Sequence, residues 1–210
     1  MIFVLMGPPG AGKGTQCDLI VAKRKLAKLS TGDYLRKQIA DGTALGNFAK
    51  DIMNRGELVP DDLLLKLIKS GLSDLGNTNI ILDGYPRTLR QASDLMELVG
   101  KDLAAVVHID VGEKTLVERL SGRETCGQCG ASYHKASRPA KKAGICDKCG
   151  GTLVRRPDDV EEKIKVRLRI YREETEPVID FFAKRGLYVK VDGNADFDIV
   201  SDRVMRAFDA

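Results

Sequence analysis

The segment Gly7-Pro8-Pro9-Gly10-Ala11-Gly12-Lys13-Gly14-Thr15 has the residue types and spacing of a phosphate cradle. Glycines let successive backbone N–H groups turn inward around an anion. A helix starting at the lysine adds its partial positive charge, and the lysine adds a mobile ammonium. The flanks suit that role: the apolar run Ile2 to Met6 precedes the loop, and Cys17, Ile20 and Val21 follow at helical spacing. Gly14 stands where Ser or Thr usually follows the lysine, so Thr15 is the hydroxyl available to help hold Mg²⁺.

A second constellation is Ile80-Ile81-Leu82-Asp83-Gly84-Tyr85-Pro86-Arg87. It ends an apolar strand with a carboxylate at the tip, where ligands of open α/β sheets bind. Asp83 is placed to orient Mg²⁺, and Arg87 is a candidate phosphate clamp on the same loop. Thr88 and Gln91 fit a helix-capping box, so capping alone would also account for Gln91. Arginine recurs at 36, 119, 123, 156, 167 and 169. Phosphoryl transfer asks for positioned cations, and a guanidinium presents a planar fork to two phosphate oxygens. Most basic residues here are expected to be solvated, but Arg123 and Arg156 bracket a segment that departs from the rest of the chain.

That segment carries Cys126-x₂-Cys129 and Cys146-x₂-Cys149, each knuckle followed by glycine, in the spacing of a structural Cys₄ zinc ribbon. Four thiolates close a tetrahedron and leave no open position for a catalytic water, so the metal is expected to fold the segment. A disulfide pairing is the competing reading. Cys17, on the apolar stripe of the first helix, reads as core. Asp158 with Glu161 fits a capping pattern before a long helix that Pro177 would break or kink.

The elements that must position these groups follow from periodicity. Apolar runs at 2–6, 80–82, 105–109 and 187–191, with a weaker one before Ser30, are separated by helical patterns. The expected fold is α/β: a five-stranded parallel sheet with helices on both faces. Val200, Val204 and Phe208 form a last core-facing stripe. Two stretches break the alternation. One, about 30–60, has short helical pieces split by Gly32, Gly42, Gly46 and Gly56; the other, about 122–159, holds the cysteines and too few apolar residues to fold by burial alone. The 210 residues, 43% hydrophobic and 30% charged, exclude disorder as the main state, and a net charge of +4 is far from a dedicated nucleic-acid binder. No apolar run approaches the roughly 20 residues of a membrane span. Met1 to Met6 enters the glycine loop without a basic leader, so a soluble, cytoplasmic protein is expected.

Taken together, Gly7 to Thr15, Ser30-Thr31-Gly32-Asp33 with Arg36, Gly56 to Pro60, Asp83 to Arg87 with Gln91, Gly122-Arg123, Tyr133-His134 and Arg156 to Asp159 resemble the adenylate kinases along essentially the whole chain. The cysteine knuckles resemble the zinc-bearing lid of some long-form bacterial and archaeal members. The resemblance implies a P-loop nucleoside monophosphate kinase fold: a core of 1–29, 60–121 and 160–210, an AMP-binding segment at 30–59, and a zinc-binding lid at 122–159. It implies that AMP is held by Thr31, Arg36, Gly84, Tyr85, Pro86, Arg87 and Gln91, beside the backbone of Glu57, Leu58 and Val59, with Arg156 and Arg167. ATP would lie on Gly10, Ala11, Gly12, Lys13, Gly14 and Thr15, with Arg119, Arg123, Ser132, Tyr133 and His134 near its outer parts. Lys13, Arg87, Arg123, Arg156 and Arg167 would surround the moving phosphoryl group.

Two departures are visible. Family members often carry Lys where Ala195 stands, so an adenine contact there must come from backbone, and Tyr85 replaces the commoner Phe. The implied partners are ATP, AMP and ADP with Mg²⁺ and a structural Zn²⁺, acting on a monomer that binds neither nucleic acid nor membrane. A GTP:AMP phosphotransferase, another nucleoside monophosphate kinase, and a zinc-ribbon nucleic-acid module are the alternatives at this stage.

Overall fold

A computed structural model describes residues 1–76 and 78–208. The chain begins with β1 (Ile2–Met6), α1 (Lys13–Arg24) and β2 (Ala27–Ser30), then α2 (Thr31–Ala40), α3 (Ala44–Arg55) and α4 (Asp61–Leu75). Next come β3 (Ile80–Asp83), α5 (Leu89–Val99), β4 (Leu103–Asp110) and α6 (Glu113–Ser121). Three short strands follow, β5 (Arg123–Cys126), β6 (Ser132–His134) and β7 (Leu153–Val154). The last part holds α7 (Glu161–Ile170), α8 (Glu176–Ala183), β8 (Tyr188–Asp192) and α9 (Phe197–Ala207).

Five strands pair in the order β2-β3-β1-β4-β8, every pair parallel, as the apolar runs predict. All five residues of β1 are buried because each face of the sheet carries its own core. Phe3 and Leu5 point to one side, with Ile20, Ile109, Leu120, Ile164 and Val204; Ile2, Val4 and Met6 point to the other, with Ile68, Leu82, Leu95 and Phe182. The chain leaves central β1 for β2 on one side of it, and the connection from β3 crosses to β4 on the other. The crevice beyond its carboxyl end, where the glycine loop lies, is therefore the switch point of the sheet. Register brings Leu5 of β1 and Ser30 of β2 level with Asp83 of β3 at that edge.

Three details differ from the sequence reading. Gly32 and Gly46 lie inside helices rather than between them. At Gly46 a Cβ would stand 2.0 Å from the Gln38 carbonyl oxygen, so this glycine lets α3 pack directly on the backbone of α2. Pro177 does not end the long C-terminal helix: Tyr171–Thr175 form a π-helical turn in which the Glu176 N–H reaches the Tyr171 carbonyl. Pro177 then falls in the first turn of α8, where its missing N–H costs least. Finally, Asp158 does not cap α7, whose N-cap is Val160 with no side-chain bond; the aspartate faces arginines, as described below.

Candidate active site

The glycine loop runs from the end of β1 to the start of α1, with Gly7, Gly10 and Gly12 at positive φ (148°, 87° and 93°). At Gly10 a Cβ would meet Leu120 at 2.9 Å and the Leu116 carbonyl at 3.0 Å, so the loop is pressed against α6. Lys13 Nζ donates to the carbonyls of Gly7 (2.7 Å) and Pro8 (3.0 Å), folded back over its own loop. Burial lowers its pKa to about 7; Asp83 opposes this, while Arg87, Arg167 and Arg123 reinforce it. An ammonium held this close to neutrality, among cations, is short of an anion.

Gly84 follows β3 at φ 80°. Its carbonyl accepts from Thr31 Oγ1 (3.1 Å) and Arg87 Nε (2.8 Å). A Cβ there would come within 2.9 Å of the Arg87 guanidinium, so glycine is what lets that side chain lie across the loop. Asp83, 8% exposed, accepts from Ser30 Oγ at 3.3 Å, and with Thr15 it lines the larger of two adjoining cavities.

That larger cleft is ≈ 780 Å³, walled by the glycine loop, Arg119, Arg123, Arg156, Ser132, Tyr133, His134 and Ala195. A smaller cavity of ≈ 120 Å³ lies over Thr31, Arg36, Glu57, Leu58, Val59 and Pro86. The two share Lys13, Gly84, Arg87, Arg36 and Arg167, so their floors meet at a wall of cations. Burial, and after it Arg167, lowers the Arg87 pKa to about 10; burial and Arg123 lower that of Arg156 to about 9; burial lowers that of Arg167.

Asp159 organises the seam. Wholly buried, it takes two bonds from Arg123 (2.7 and 2.6 Å) and one from Arg167 (2.7 Å), while Asp158 takes Arg167 at 2.9 Å. Arg156 is turned by a bond to Thr125 Oγ1 (2.9 Å). Sequence reading gave Asp158 a capping role because that pattern is local; the arginine that Asp159 takes from β5 lies 36 residues away. On the other flank Asp33 holds Arg36 (2.6 Å) and Lys28 (2.9 Å). Burial pushes its pKa up, but Arg36 and Lys28 outweigh that and hold it well below the usual carboxylate range.

Two expected contacts are placed elsewhere. Tyr85 is 1% exposed and belongs to the core, and Gln91 is fully buried and off both cavity walls. The Gln91 amide accepts from the Arg87 N–H (2.7 Å) and donates to Asp61 (2.6 Å), while Thr88 accepts from the Gln91 N–H at 3.1 Å. The capping element is thus present, with the glutamine bracing the Arg87 loop. Sequence reading also missed the far wall of the small cavity, Met53, Ile170, Tyr171 and Thr175. Tyr171 donates or accepts at His108 Nε2 (2.8 Å), and Tyr188 lies 3.0 Å from Nδ1. Burial lowers the His108 pKa to about 4.

Beyond the cleft, β6-β5-β7 form a small antiparallel sheet carrying the cysteines. The two knuckles repeat one geometry. Gly130 N–H bonds the Cys126 carbonyl (3.1 Å), Gly150 N–H bonds that of Cys146 (2.9 Å), and both glycines have positive φ. The four Sγ atoms lie within 4.8 Å of one another, two pairs at 3.5 Å, and all are free thiols. An ion with ~2.3 Å arms to four sulfurs would space them by about 3.8 Å, so the donor set and geometry fit zinc and not a disulfide. Tyr133 lines the cleft, and its hydroxyl accepts from the Asp147 N–H (2.8 Å) and meets Cys146 Sγ at 3.5 Å. One residue therefore joins the metal site to the cleft.

A phosphate loop at the switch point of a parallel sheet, facing a second cavity across a cationic wall, defines a phosphotransferase of the P-loop nucleoside monophosphate kinase class. The adenylate kinase family model matches residues 5–187. Adenylate kinases of Methanocella arvoryzae (47% identical, covering 99% of this chain and 98% of the relative), Methanosarcina barkeri (45%, 97% and 96%) and Oceanobacillus iheyensis (46%, 95% and 95%) are similar along nearly their whole length. The chain belongs to the adenylate kinase family, whose members bind ATP, ADP and AMP.

Proposed function

We propose that the larger cleft holds Mg-bound ATP, the smaller cavity holds AMP, and the γ-phosphoryl group passes in line between them at the shared wall, giving two ADP. The observation that carries this assignment is that the residues lining both cavities include four cations, Lys13, Arg36, Arg87 and Arg167. A largely dissociative transfer needs positioned cations rather than a protein nucleophile, so no covalent enzyme intermediate is required. Lys13 would leave the carbonyls of Gly7 and Pro8 for the phosphates. Arg123 and Arg167, pre-aimed by Asp159, would bracket the moving group together with Arg156. Arg87, fixed on the Gly84 carbonyl, and Arg36 would hold the AMP phosphate.

Mg²⁺ would neutralise the triphosphate, and Thr15 and Asp83 are the cleft groups suited to orient it. The backbone of Glu57 to Val59 would flank the acceptor base, with Gln91 available to reach it only by leaving Asp61. Residues 1–29, 60–121 and 160–210 are read as the core, 30–59 as the AMP-binding segment and 122–159 as a lid that excludes competing water. Zinc in the lid is structural. No helix among the described residues is long and apolar enough to cross a membrane, and a cytoplasmic monomer with no nucleic-acid partner is the reading we adopt.

The test is a coupled assay with ATP as donor and AMP, GMP, CMP and UMP as acceptors, on the native chain and on Arg87→Ala. AMP should be preferred by at least tenfold, and the variant should lose both AMP affinity and rate. Equal use of CMP or UMP would place the chain in another branch of monophosphate kinases.

A further inference from the structure

Charges of alternating sign run from the cysteine-bearing segment to Arg36. Lys148, in the second knuckle, lies 4.0 Å from Asp18 of α1, and the other oxygen of Asp18 takes Lys28 of β2 at 2.9 Å. The Lys28 ammonium also reaches Asp33 Oδ2 (2.9 Å), while Asp33 Oδ1 holds Arg36 of α2 (2.6 Å). Each carboxylate thus gives one oxygen to each of two cations. The Arg36 guanidinium is folded back along its own helix, so that a Cβ on Gly32 would stand 3.0 Å from Nη2. Arg36 lines both cavities, whereas Lys28, 21% exposed at its side chain, lines neither.

To present its planar fork to an acceptor phosphate, Arg36 must release Nη2 from Asp33. That release costs the attraction between the pair and leaves the carboxylate short of a partner. Lys28 lowers both costs. It spreads the charge of Asp33 over two cations, repels the guanidinium, and stays on Asp33 after Arg36 has gone. Asp18 works against this by taking a share of the Lys28 ammonium. Lys148 in turn draws on Asp18, at a distance and exposure where water screens most of the attraction.

We infer that Lys28 is a positioning residue for the acceptor: acting through Asp33, it sets how readily Arg36 is released to the acceptor phosphate, with Asp18 pulling the other way. This rests on the reading above that Arg36 holds that phosphate. The two charges off the cavity walls should therefore have opposite effects on AMP, and both effects should pass through Arg36.

The experiment measures equilibrium binding of AMP at low salt, and initial rates with ATP saturating. It compares the native chain with Lys28→Met, Lys28→Arg, Asp18→Asn, Arg36→Met and the double variant Lys28→Met, Arg36→Met. Lys28→Met should weaken AMP binding and raise KM for AMP about fourfold, the reach of one partly exposed ion pair. Its kcat should be unchanged, because at saturation Arg36 is already on the phosphate. Lys28→Arg should bind as the native chain does. Asp18→Asn should tighten binding about twofold, whereas damage to the fold would weaken it. These differences should shrink at about 0.5 M salt. With Arg36 replaced, Lys28→Met should change nothing; a direct long-range pull of Lys28 on the phosphate would survive there at full size. Unchanged AMP affinity in Lys28→Met, weaker binding in Asp18→Asn, or an undiminished effect of Lys28→Met without Arg36 overturns the role of Lys28. AMP affinity unaffected by Arg36→Met would instead overturn the placing of the acceptor phosphate on Arg36.

Discussion

The central sheet and the cysteine-bearing segment are held together by different means. Each face of the sheet buries a continuous apolar cluster, reaching Val4, Ile20, Ile68 and Ile164 at 0% exposure. The apolar cluster of the small sheet is five buried residues among those described, Cys126, Ala131, Tyr133, Cys146 and Leu153, and two of the five are metal-ligand candidates. A surplus of burial lets the core carry a costly feature, a cluster of cations with too few anions, at the carboxyl edge of its strands. The small sheet has no surplus, which is why we propose that a metal held by its four gathered sulfurs staples it. The difference separates where catalytic strain can be stored from where stability must be imported.

Lys13→Met gives the sharpest contrast. Losing one placed cation at the transfer point should cut turnover roughly a thousandfold or more. In the nucleotide-free protein the same change should raise the melting temperature. The folded-state pKa of Lys13 is about 7 against 10.5 for the free side chain. The unfolded chain therefore binds the proton more tightly, and this group costs stability at and below neutral pH. The cost, up to about 4 kcal/mol at pH 7, fades as pH rises from 7 toward 10.5. Calorimetry and initial rates on both proteins check the pair of effects. Activity within tenfold of native, or a lower melting point for the nucleotide-free variant, would mean the core is not storing strain at this lysine.

The same contrast governs what the sequence discloses. The strands were legible because β1 is apolar on both faces, which only a doubly covered parallel strand requires, and the phosphate loop because its chemistry is local. The cysteine knuckles were legible for the same reason. What stayed hidden depends on distance in the chain. Asp158 reads as a helix cap until folding brings Arg167 to it, and the bond of Asp159 to Arg123 spans 36 residues. Tyr171 and His108, 63 residues apart, meet only across α7's end and β4. Gln91 showed its capping pattern but not its bond to Asp61, which turns it from the cavity toward the Arg87 loop.

Removing metal should break the other half of the comparison. Chelation, or Cys146→Ser, should melt the small sheet first and lower its unfolding temperature by several degrees, leaving the parallel sheet folded. Where that segment is still ordered, turnover should stay largely intact, because a closed Cys₄ site offers no position to a substrate. As it melts, KM for ATP should rise, since Tyr133 ties the cleft wall to Cys146. Calorimetry with metal content measured on each sample is the check. Loss of all activity with the segment still folded would make the metal catalytic, and an unchanged melting curve would mean the sulfurs hold no structural ion.

The smallest effect asks whether acid attacks the two regions by separate routes. In the small sheet, protons compete with metal for thiolates. In the core the vulnerable group is His108, 5% exposed between two tyrosine hydroxyls, with its pKa lowered by burial to about 4 against 6.5 when free. Because the unfolded chain binds this proton more tightly, His108 costs nothing above pH 6.5, and stability drains away as pH falls from 6.5 toward 4. Between pH 7 and pH 5 the loss from this one residue should be about 2 kcal/mol. A charged imidazole must also donate from both nitrogens, forcing the Tyr171 hydroxyl on the wall of the small cavity to accept. His108→Gln keeps hydrogen-bonding capacity and removes the titration, so denaturant unfolding in saturating zinc should show a flatter dependence of stability on pH, by that amount. KM for AMP should likewise respond less to acid in the variant than in the native chain. A stability profile unchanged by the substitution would move the acid sensitivity of the core elsewhere and leave the thiolates as the first site of acid damage.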